Sequence, residues 1–323
     1  MPKRRAITSP LKARPSRQVA NDILRLVVCP SCKGPLTGGE ESLACGRCPH
    51  AYPILDGIPV MLVDIAGAVS AAGQSHRQAA FFDEVEDTEF EIERPHGTPW
   101  LYRWYYEEKF RRSVSALRSL LPGASVLTVC GGSGMDAEFL ARAGCCVIAS
   151  DVSVGACRRA LERARRHGVS LAVVAADAAD LPFADRSVDL VYVHDGLHHL
   201  ERPFSALAEM TRIARRAISI TEPARAAATA LAVRLGVALE VEEAGNRVVR
   251  FTPVELEREL RVGGFRVVRS QRYAMYYKHE PGHLIGTLSM PGLRSGIALS
   301  IQSFNLLAGA IGNRLTVQAV REA

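Results

Sequence analysis

The chain has 323 residues, which exceeds one average domain and predicts a main domain with a smaller companion. Its hydrophobic content of 48% allows a large buried core and, with 23% charged residues, excludes a disordered or fibrous chain. The net charge of +6 comes from 35 Arg and 5 Lys against 34 acidic residues. An excess of Arg suits phosphate recognition, although a compositional bias of the source genome is the preferred explanation.

The first segment, residues 1–20, contains the basic, proline-containing run "MPKRRAITSPLKARPSRQ". Because this run lacks an apolar core, it is not a secretory signal, and it predicts a disordered arm that is a candidate for RNA contact. Eight cysteines, four of them in two C-x-x-C pairs, and the missing signal predict a protein of the reducing cytoplasm with metal or redox chemistry.

A metal site is predicted by Cys29, Cys32, Cys45 and Cys48, which follow the spacing C-x2-C-x12-C-x2-C. Each C-x-x-C turn directs two thiolates at one ion, and two turns complete a tetrahedral zinc site. Iron is the second choice of metal, His50 is an alternative fourth ligand, and a buried pair or redox dithiol is the alternative without metal. Because a closed four-cysteine site leaves no position for substrate, we expect a structural Zn²⁺ in a small domain at residues 21–66.

The stretch "CPSCKGPL…LACGRC…YPILDGIPVML" resembles the short zinc-ribbon proteins that partner and activate tRNA, rRNA and protein methyltransferases, and their bacterial relatives. The resemblance covers about residues 22–64 and includes all four ligand positions. It implies a zinc ribbon fused ahead of the main domain, where it replaces a separate activator subunit by covering an apolar flank of the sheet.

Residues 67–118 predict a helical linker or lid. Within it, "RPHGTPWLYRWYYEEKFRRS" interleaves Arg with the aromatic residues Trp100, Tyr102, Trp104, Tyr105 and Tyr106. Such aromatics can stack on bases or on an aromatic substrate, whereas packing of a helix against the core is the default interpretation.

From Ser125 onward strands and helices alternate, which predicts a parallel sheet with helices on both faces. The turn "CGGSG" follows the strand "SVLTV", and the next strand, "CCVIASD", ends in Asp151. Gly132 and Gly134 allow a ligand to approach the backbone at a helix start, and Asp151 stands where an acid can bind both ribose hydroxyls. The same residues satisfy the G-x-G-x-x-A pattern of an NAD enzyme, and a tight turn without a ligand is a further alternative.

The next stretch, "VVAADAADLPFADRSVDLVYVHDGLHHL", resembles class I S-adenosylmethionine (SAM)-dependent methyltransferases, particularly the broad family that includes ubiquinone-biosynthesis enzymes. The resemblance implies an α/β fold, a Rossmann-like seven-stranded sheet at residues 119–323, with insertions near 224–248 and 280–312 that select the substrate. In that family an acid after the third strand holds the adenine amino group, which is the position of Asp177. The cofactor-binding set that the resemblance implies is Cys130, Gly131, Gly132, Gly134, Asp151, Val152, Asp177, Ala178 and His194.

Two positions of the glycine turn depart from the family pattern, because Thr128 replaces the usual acid and Cys130 replaces the first glycine. The acid helps to orient the methionine end of SAM, so its loss weakens cofactor binding or marks a degenerate enzyme unless another group such as Asp136 compensates. The resemblance also implies that a helix ahead of the sheet covers SAM, so that Tyr102 or Tyr106 borders the cofactor.

Candidate catalytic groups follow the fourth strand. Methyl transfer requires alignment of the nucleophile and exclusion of water, and a base only where the nucleophile keeps a proton. His194 and His198 are the candidate catalytic residues, near Asp195 and His199. A structural role is the default for each histidine, and His194 is the better candidate for the pocket because it ends the strand.

Near the C-terminus, "SGIALSIQSFNLLAGAIG" is uncharged from Ser295 to Gly312. Apolar residues recur every three or four positions, which predicts a helix packed on the core. The stripe comprises Ile297, Ile301, Phe304, Ala308, Ile311 and Leu315. Membrane contact is the alternative, since the segment barely reaches the length of a span, and no stable membrane insertion is expected.

The sequence therefore predicts a cytoplasmic SAM-dependent methyltransferase with a structural Zn²⁺, acting on a small-molecule biosynthetic intermediate. Two alternatives remain: an rRNA or tRNA methyltransferase, and a non-catalytic binding protein on a degenerate methyltransferase fold. The sequence leaves the oligomeric state open.

Overall fold

The computed structural model describes residues 26–63, 74–84, 87–234, 240–241, 245–275 and 279–322. The basic arm expected at residues 1–20 lies outside the described residues. All statements below refer to the described parts of the chain.

The N-terminal module consists of four short antiparallel strands: β1 (Leu36–Gly38), β2 (Ser42–Cys45), β3 (Ala51–Leu55) and β4 (Ile58–Met61). The hairpin between β3 and β4 turns on Asp56 and Gly57, whose φ angles are 54° and 81°. Positive φ at both central residues is the geometry that an Asp-Gly pair adopts in two-residue hairpin loops. This turn reverses the chain, so that the apolar strand β4 runs antiparallel to β3 and is free on its other edge to pair with the main domain.

Seven strands build the main sheet: β5 (Ser125–Val129), β6 (Cys146–Asp151), β7 (Leu171–Ala176), β8 (Val188–His194), β9 (Ala214–Pro223), β10 (Phe265–Tyr273) and β11 (Arg314–Arg321). Their order is β7-β6-β5-β8-β9-β11-β10, and β11 is antiparallel to both neighbours. The central strands are buried along nearly their whole length, as expected for parallel strands covered on both faces. The predicted α/β fold class is confirmed.

Ten helices accompany the strands: α1 (Gln74–Asp83), α2 (Thr88–Glu93), α3 (Trp100–Ser113), α4 (Met135–Arg142), α5 (Val154–His167), α6 (Pro203–Ile213), α7 (Ala227–Arg234), α8 (Pro253–Val262), α9 (His283–Leu288) and α10 (Arg294–Ala308). Leu140 of α4 and Ala160 of α5 pack in one apolar cluster with one face of the sheet. Leu207 of α6 and Leu256 of α8 pack in another cluster with the opposite face. The sheet is therefore sandwiched between helices, as predicted.

The ribbon and the main sheet are continuous, which the prediction of seven strands did not include. Strand β4 pairs in parallel with β7, with Val60 opposite Ala175 and Met61 opposite Ala176, so the complete sheet has 11 strands. A backbone hydrogen bond of 2.9 Å runs from the N–H of Val28 to the carbonyl of Pro182. The ribbon therefore supplies the hydrogen-bonding partner that the edge of β7 would otherwise lack.

The C-terminal apolar stripe was expected to pack on the core, and this expectation is wrong for two of its six residues, Phe304 and Ile311. Ile297 and Ile301 pack against an apolar cluster, but α10 has no fully buried residue. Phe304 is 55% exposed and Ile311 is 69% exposed, while Leu315 belongs to β11. The periodicity reports one helical face correctly, but the neighbouring elements cover only its first half.

Candidate functional site

The four predicted metal ligands come together in the ribbon. The sulfurs of Cys29, Cys32, Cys45 and Cys48 all lie within 4.8 Å of one another. Measured pairs are 3.4 Å apart for Cys32 and Cys45 and 3.6 Å for Cys29 and Cys48. A zinc–sulfur bond of about 2.3 Å in tetrahedral geometry requires sulfurs about 3.8 Å apart, so the donor set fits Zn²⁺.

The pKa values of the four thiols shift in opposite directions, downward for Cys29 and Cys45 and upward for Cys32 and Cys48, as expected where thiols crowd together without a cation. The backbone N–H of Arg47 donates to Sγ of Cys45 at 3.3 Å and lowers the pKa of that thiol to about 6. The hydroxyl of Tyr52 lies 3.1 Å from Sγ of Cys29. His50, the alternative ligand, places Nδ1 3.3 Å from Sγ of Cys48, beside the four sulfurs.

The glycine turn links β5 to α4 at the carboxyl edge of the sheet. Gly134 has a φ of +79°, and a Cβ there would lie 2.9 Å from Cβ of Ala160, so the close approach of α5 requires glycine. Gly132 has a φ of +52°, and a Cβ there would have no atom within 4 Å. The backbone of Gly132 is therefore open to a ligand, while Gly134 serves packing. Gly131 donates its N–H to the carbonyl of Ser150 at 2.8 Å and so holds the turn against β6.

Cys130, which replaces the first glycine of the family pattern, adopts a φ of 52° that favours glycine. Its side chain faces Gly196, where an added Cβ would lie 2.5 Å from Cβ of Cys130. Burial, reinforced by Asp151, Glu222 and Asp177, raises the pKa of the Cys130 thiol well above its usual value. The thiol is therefore neutral, and Gly196 provides the space that the larger residue in the turn requires.

Both predicted acidic residues lie at this edge. Asp151 ends β6 and accepts hydrogen bonds from the backbone N–H groups of Gly132 at 2.8 Å and Ser153 at 3.0 Å. Burial raises the pKa of Asp151 above its ordinary value despite these two donors. Asp177 follows β7 and accepts a bond of 2.8 Å from the N–H of Ala179.

The residues beside the two acids differ in burial. Val152 is half-buried, and Ala178 is buried. The four side chains stand with the glycine turn at the carboxyl edge of the sheet, the edge at which a parallel sheet ordinarily binds its ligand.

His194 ends β8 and is almost completely buried. Its Nδ1 lies 3.0 Å from Oδ1 of Asp136, which also accepts a bond of 3.2 Å from the hydroxyl of Tyr192. Burial opposes ionisation of Asp136, but the neighbouring His194 and Lys109 hold its pKa below the ordinary value. Nε2 of His194 has no hydrogen-bond partner among the described residues, and its nearest recorded acid is Asp195 at 3.6 Å.

His198 is in a different environment from His194. Its Nδ1 lies 2.7 Å from Oε2 of Glu222, whose other oxygen accepts from the N–H groups of Gly196 at 2.9 Å and Leu197 at 2.7 Å. Glu222 is fully buried. This carboxylate therefore fixes the turn after β8, and its contact with His198 favours the structural role for that histidine.

Asp195 connects the helical segment ahead of the sheet to the last strand. It bonds to Nζ of Lys109 at 2.8 Å and to both Nη atoms of Arg314, with Nη2 at 3.0 Å. Burial opposes ionisation of Asp195, yet Arg314 and Lys109 hold its pKa well below the usual range. The single negative charge of this carboxylate thus lies between two buried cations at the carboxyl edge.

The helices expected to form a lid cover the start of α4. Ser133 of the glycine turn donates to Oε2 of Glu91 in α2 at 2.8 Å. Tyr102 and Tyr106 are buried in one cluster with Met135, the first residue of α4. Asp83 of α1 accepts from Ser153 Oγ at 2.6 Å, directly after Asp151. The expected position of the two tyrosines next to the glycine turn agrees with this arrangement.

Sequence reasoning missed several residues of the site. Glu222 carried a usable signal, because it stands at the carboxyl end of a predicted strand, where acids of a parallel sheet gather. Glu91 and Asp83 carried none, since they act through contacts with residues far away in the chain, Ser133 and His279 for Glu91, and Ser153 and Gly155 for Asp83. Thr128 was identified as a departure from the family pattern, and its buried Oγ1 has no hydrogen-bond partner among the described residues.

The crevice can be tested for its fit to a polar ligand. Two buried polar atoms have no hydrogen-bond partner among the described residues: Oγ1 of Thr128, which lies 3.0 Å from the position of a Cβ on Gly131, and Nε2 of His194 at the end of β8. Buried polar atoms ordinarily find partners, so these atoms fit a site completed by a bound polar group.

Comparison with protein families matches both parts of the chain. Residues 127–217 match the methyltransferase domain family, and residues 21–57 match the Trm112p-like protein family. The two resemblances drawn from the sequence, to methyltransferases and to small ribbon proteins, are thereby confirmed.

Two curated relatives represent the two parts. A demethylmenaquinone methyltransferase from Renibacterium salmoninarum is 38% identical over 107 residues, which are 33% of this chain and 44% of that protein. A UPF0434 protein from Methylobacillus flagellatus is 53% identical over 51 residues, which are 15% of this chain and 85% of that protein. The chain spans less than half of the length of the first relative but most of the second. Its N-terminal module belongs to the UPF0434 family.

Solved structures share the fold of the main domain. The magnesium protoporphyrin IX methyltransferase from Synechocystis PCC 6803, solved with bound S-adenosylhomocysteine (SAH), aligns with a TM-score of 0.53 and 16% identity. The alignment covers 77% of this chain and 100% of that one. At this identity the likeness establishes the Rossmann-like methyltransferase fold.

Proposed function

We propose that this chain is a SAM-dependent methyltransferase that acts on a small molecule, with a zinc ribbon at residues 21–66 ahead of a catalytic domain at residues 119–323. The observation that carries the proposal is the open backbone of Gly132, whose N–H lies 2.8 Å from the carboxylate of Asp151. At Gly132 no side chain blocks the backbone, and an acid stands beside it at the end of a strand. This arrangement suits a nucleoside whose ribose and attached chain pass close to the protein backbone.

The proposed cofactor site follows from these contacts. Asp151 would bind the ribose hydroxyls, while Asp177 and Ala178 would hold the adenine and Val152 would pack against it. The turn Cys130–Gly134 would approach the linker through Gly131 and Gly132. Because Thr128 is neutral, we assign the charge that faces the methionine end to Asp136, whose pKa lies below the ordinary value.

SAM supplies an activated methyl group when bound, so the protein must align the acceptor and exclude water. Helices α2 and α3, which cover the start of α4, form the roof of the proposed site and would exclude water from it. Glu91 of α2 holds this roof on the glycine turn through its hydrogen bond with Ser133. His194 is the candidate base. Donation from its Nδ1 to Asp136 leaves Nε2 able to accept a proton, as in other carboxylate–histidine pairs. His198, held by Glu222, would act by positioning the turn.

For the acceptor, the matched curated relative is a demethylmenaquinone methyltransferase, and we propose a small apolar ring of quinone type. For the ribbon, we propose one Zn²⁺ bound by the four cysteines. With all four positions filled by protein sulfurs, this ion would stabilise the fold and take no part in the reaction.

The test is calorimetric titration of the full chain with SAM and with SAH. Wild-type protein should bind both. Asp151→Asn and Asp177→Asn should each bind at least about tenfold more weakly, because each loses a charge-assisted contact. Asp185→Asn removes a carboxylate that is 76% exposed on a surface loop and serves as the matched control. His194→Gln should lose methylation of a demethylmenaquinone acceptor to a greater extent than it loses SAM binding.

Three results would contradict the proposal. Absence of SAM binding at millimolar concentration would favour the non-catalytic alternative. Binding of a nicotinamide dinucleotide in place of SAM would favour an oxidoreductase. Methylation of RNA but of no small acceptor would move the substrate to the nucleic-acid class.

A further inference from the structure

The C-terminal insertion exposes an unusual amount of apolar surface. In the described residues, ten large hydrophobic side chains are more than half exposed, and seven of them lie between residues 284 and 311. We call these seven the insertion face: Leu284, Met290, Leu299, Phe304, Leu306, Leu307 and Ile311. Leu306 is 86% exposed and Leu307 is 87% exposed. Exposed apolar side chains concentrated in one segment mark an interaction surface.

The two sides of α10 have different surroundings. Ile297 and Ile301 lie in the cluster that includes Tyr102 and Met135, next to the glycine turn. Leu299 and Leu306 are seven positions apart, which places them on one side of a helix, roughly opposite Ile297 and Ile301. The inner side of α10, with Ile297 and Ile301, therefore packs next to the proposed cofactor site. Its outer side, with Leu299 and Leu306, is exposed.

The charges of the insertion indicate what it meets. Between Pro281 and Asn313 the sequence contains no Asp or Glu, while it contains Arg294 and His283. Arg294 is exposed, and its guanidinium lies over the ring of Trp100 at 5.7 Å from the ring centre. An apolar surface free of acids, with the cation of Arg294 at its border, is complementary to a bilayer that presents acyl chains beneath anionic headgroups.

The length of the helix defines the mode of contact. Helix α10 has 15 residues, or about 22 Å at 1.5 Å per residue, which is shorter than the hydrocarbon core of a bilayer. Among the described residues, no helix is both long and apolar enough to cross a membrane. A short helix with apolar side chains on one side lies in the plane of the interface.

We propose that the insertion face docks on the surface of an anionic lipid bilayer, with α10 in the plane of the membrane. Leu299, Leu306 and Leu307 enter the acyl boundary, and Arg294 lies at the level of the headgroups. If the proposed methyltransferase function holds, the acceptor is a molecule dissolved in the lipid phase, which reaches the crevice along the inner side of the insertion.

The experiment is flotation of the full chain with vesicles of equal parts phosphatidylglycerol and phosphatidylcholine, without SAM. Wild-type protein should float with the vesicles. Leu306→Ser/Leu307→Ser should reduce the partition coefficient at least about tenfold, because two side chains lose their burial in lipid. Val254→Ser/Val262→Ser is the matched control, since these valines are 74% and 80% exposed on α8, away from the insertion. The control variant should float like wild type.

The electrostatic contribution to docking is tested by comparing neutral vesicles with anionic ones. Vesicles of phosphatidylcholine alone should bind wild-type protein more weakly, and Arg294→Gln should reduce this preference for anionic vesicles. Light scattering gives the oligomeric state of each variant in solution. Circular dichroism confirms that each variant is folded.

The proposal is overturned if wild-type protein stays with the aqueous fraction, or if the control variant loses as much binding as the leucine variant. It is also overturned if wild-type protein is a dimer that the leucine variant converts to a monomer, since the face would then join two copies. The calorimetric titration with SAM separates the two proposals. A protein that binds SAM but does not float with vesicles refutes only the docking, and a protein that floats with vesicles but does not bind SAM refutes only the methyltransferase function.

Discussion

Strand β7 and the insertion face are both apolar, but only the first is covered by another part of the protein. The edge of β7 is covered by β4 of the ribbon, whose residues Ile58, Val60 and Met61 are buried. The insertion face keeps seven large side chains more than half exposed. One apolar region is thus covered by a fixed segment of the same protein, and the other is left to its surroundings.

The difference follows from the backbone. An edge strand presents unpaired N–H and C=O groups, which require a partner in a defined register. Strand β4 supplies that partner, and Lys33 of the ribbon adds bonds of 3.1 Å to the carbonyl of Leu181 and to Glu209. A helix satisfies its own backbone, so its apolar side needs no register and suits a fluid partner such as lipid.

The largest effect on stability is expected when the ribbon, which covers the edge of β7, loses one of its four clustered cysteines. Cys32→Ser removes a sulfur that lies 3.4 Å from Cys45 and 3.5 Å from Cys48. If the ribbon binds the proposed Zn²⁺, a module of this size gains folding energy from the ion, so the variant should lose more than about 4 kcal/mol of unfolding free energy. Thermal unfolding measures the loss of stability, and mass spectrometry measures the zinc content of each variant.

Cys146→Ser is the control for this experiment, because Cys146 is exposed on β6 and lies outside the cluster. It should keep its zinc and its stability. A chelator should reproduce the effect of Cys32→Ser in the wild-type protein. Equal stability of the two serine variants would show that the ribbon covers β7 without help from a metal.

A smaller effect is expected from the apolar contact between the ribbon and the sheet. Met61→Ala empties a site that is 1% exposed, opposite Ala176, and should cost about 2–4 kcal/mol. Val63→Ala, two residues further and beyond the end of β4, should cost far less, because Val63 is 39% exposed. Denaturant unfolding of both variants gives the difference. Similar costs at the two positions would indicate that β4 is not anchored on β7.

The contact between Gly196 and Cys130 of the glycine turn can be tested with a pair of compensating substitutions. Gly196→Ala places a Cβ 2.5 Å from Cβ of Cys130 and should cost about 1–3 kcal/mol through overpacking. Adding Cys130→Gly removes the opposing atom and a residue with a φ of 52°, so the double variant should regain at least half of the loss. Chemical denaturation of the four members of the cycle measures the coupling. Additive costs would mean that the two positions do not interact.

The sequence predicted the parts of the molecule that rest on local patterns. The cysteine spacing identified the cluster, and alternating strands and helices identified the sheet and the position of Asp151 at its carboxyl edge. The resemblance to methyltransferases identified Asp177. These features depend on residues close together in the chain or on the regular geometry of parallel strands.

Other features were not accessible, because they depend on pairings over long distances. Nothing local indicates that β4 continues the sheet beside β7, or that Glu91 reaches Ser133. The stripe from Ile297 to Ile311 failed for a different reason. Helical periodicity shows which side chains share a face, but it does not show whether an element of the protein or the surroundings will cover that face.

The smallest effect on stability is expected at the insertion face itself. Leu306→Ser/Leu307→Ser changes two side chains that contribute little buried area in the free protein, so the unfolding free energy should stay within about 0.5 kcal/mol of wild type. The same variant is expected to lose binding to vesicles, so stability and docking should separate here, whereas at Met61 stability alone should change. Thermal unfolding with and without anionic vesicles provides the measurement. If the leucine variant is as unstable as Met61→Ala, the two leucines support the fold, and the contrast between a covered strand edge and an uncovered helix disappears.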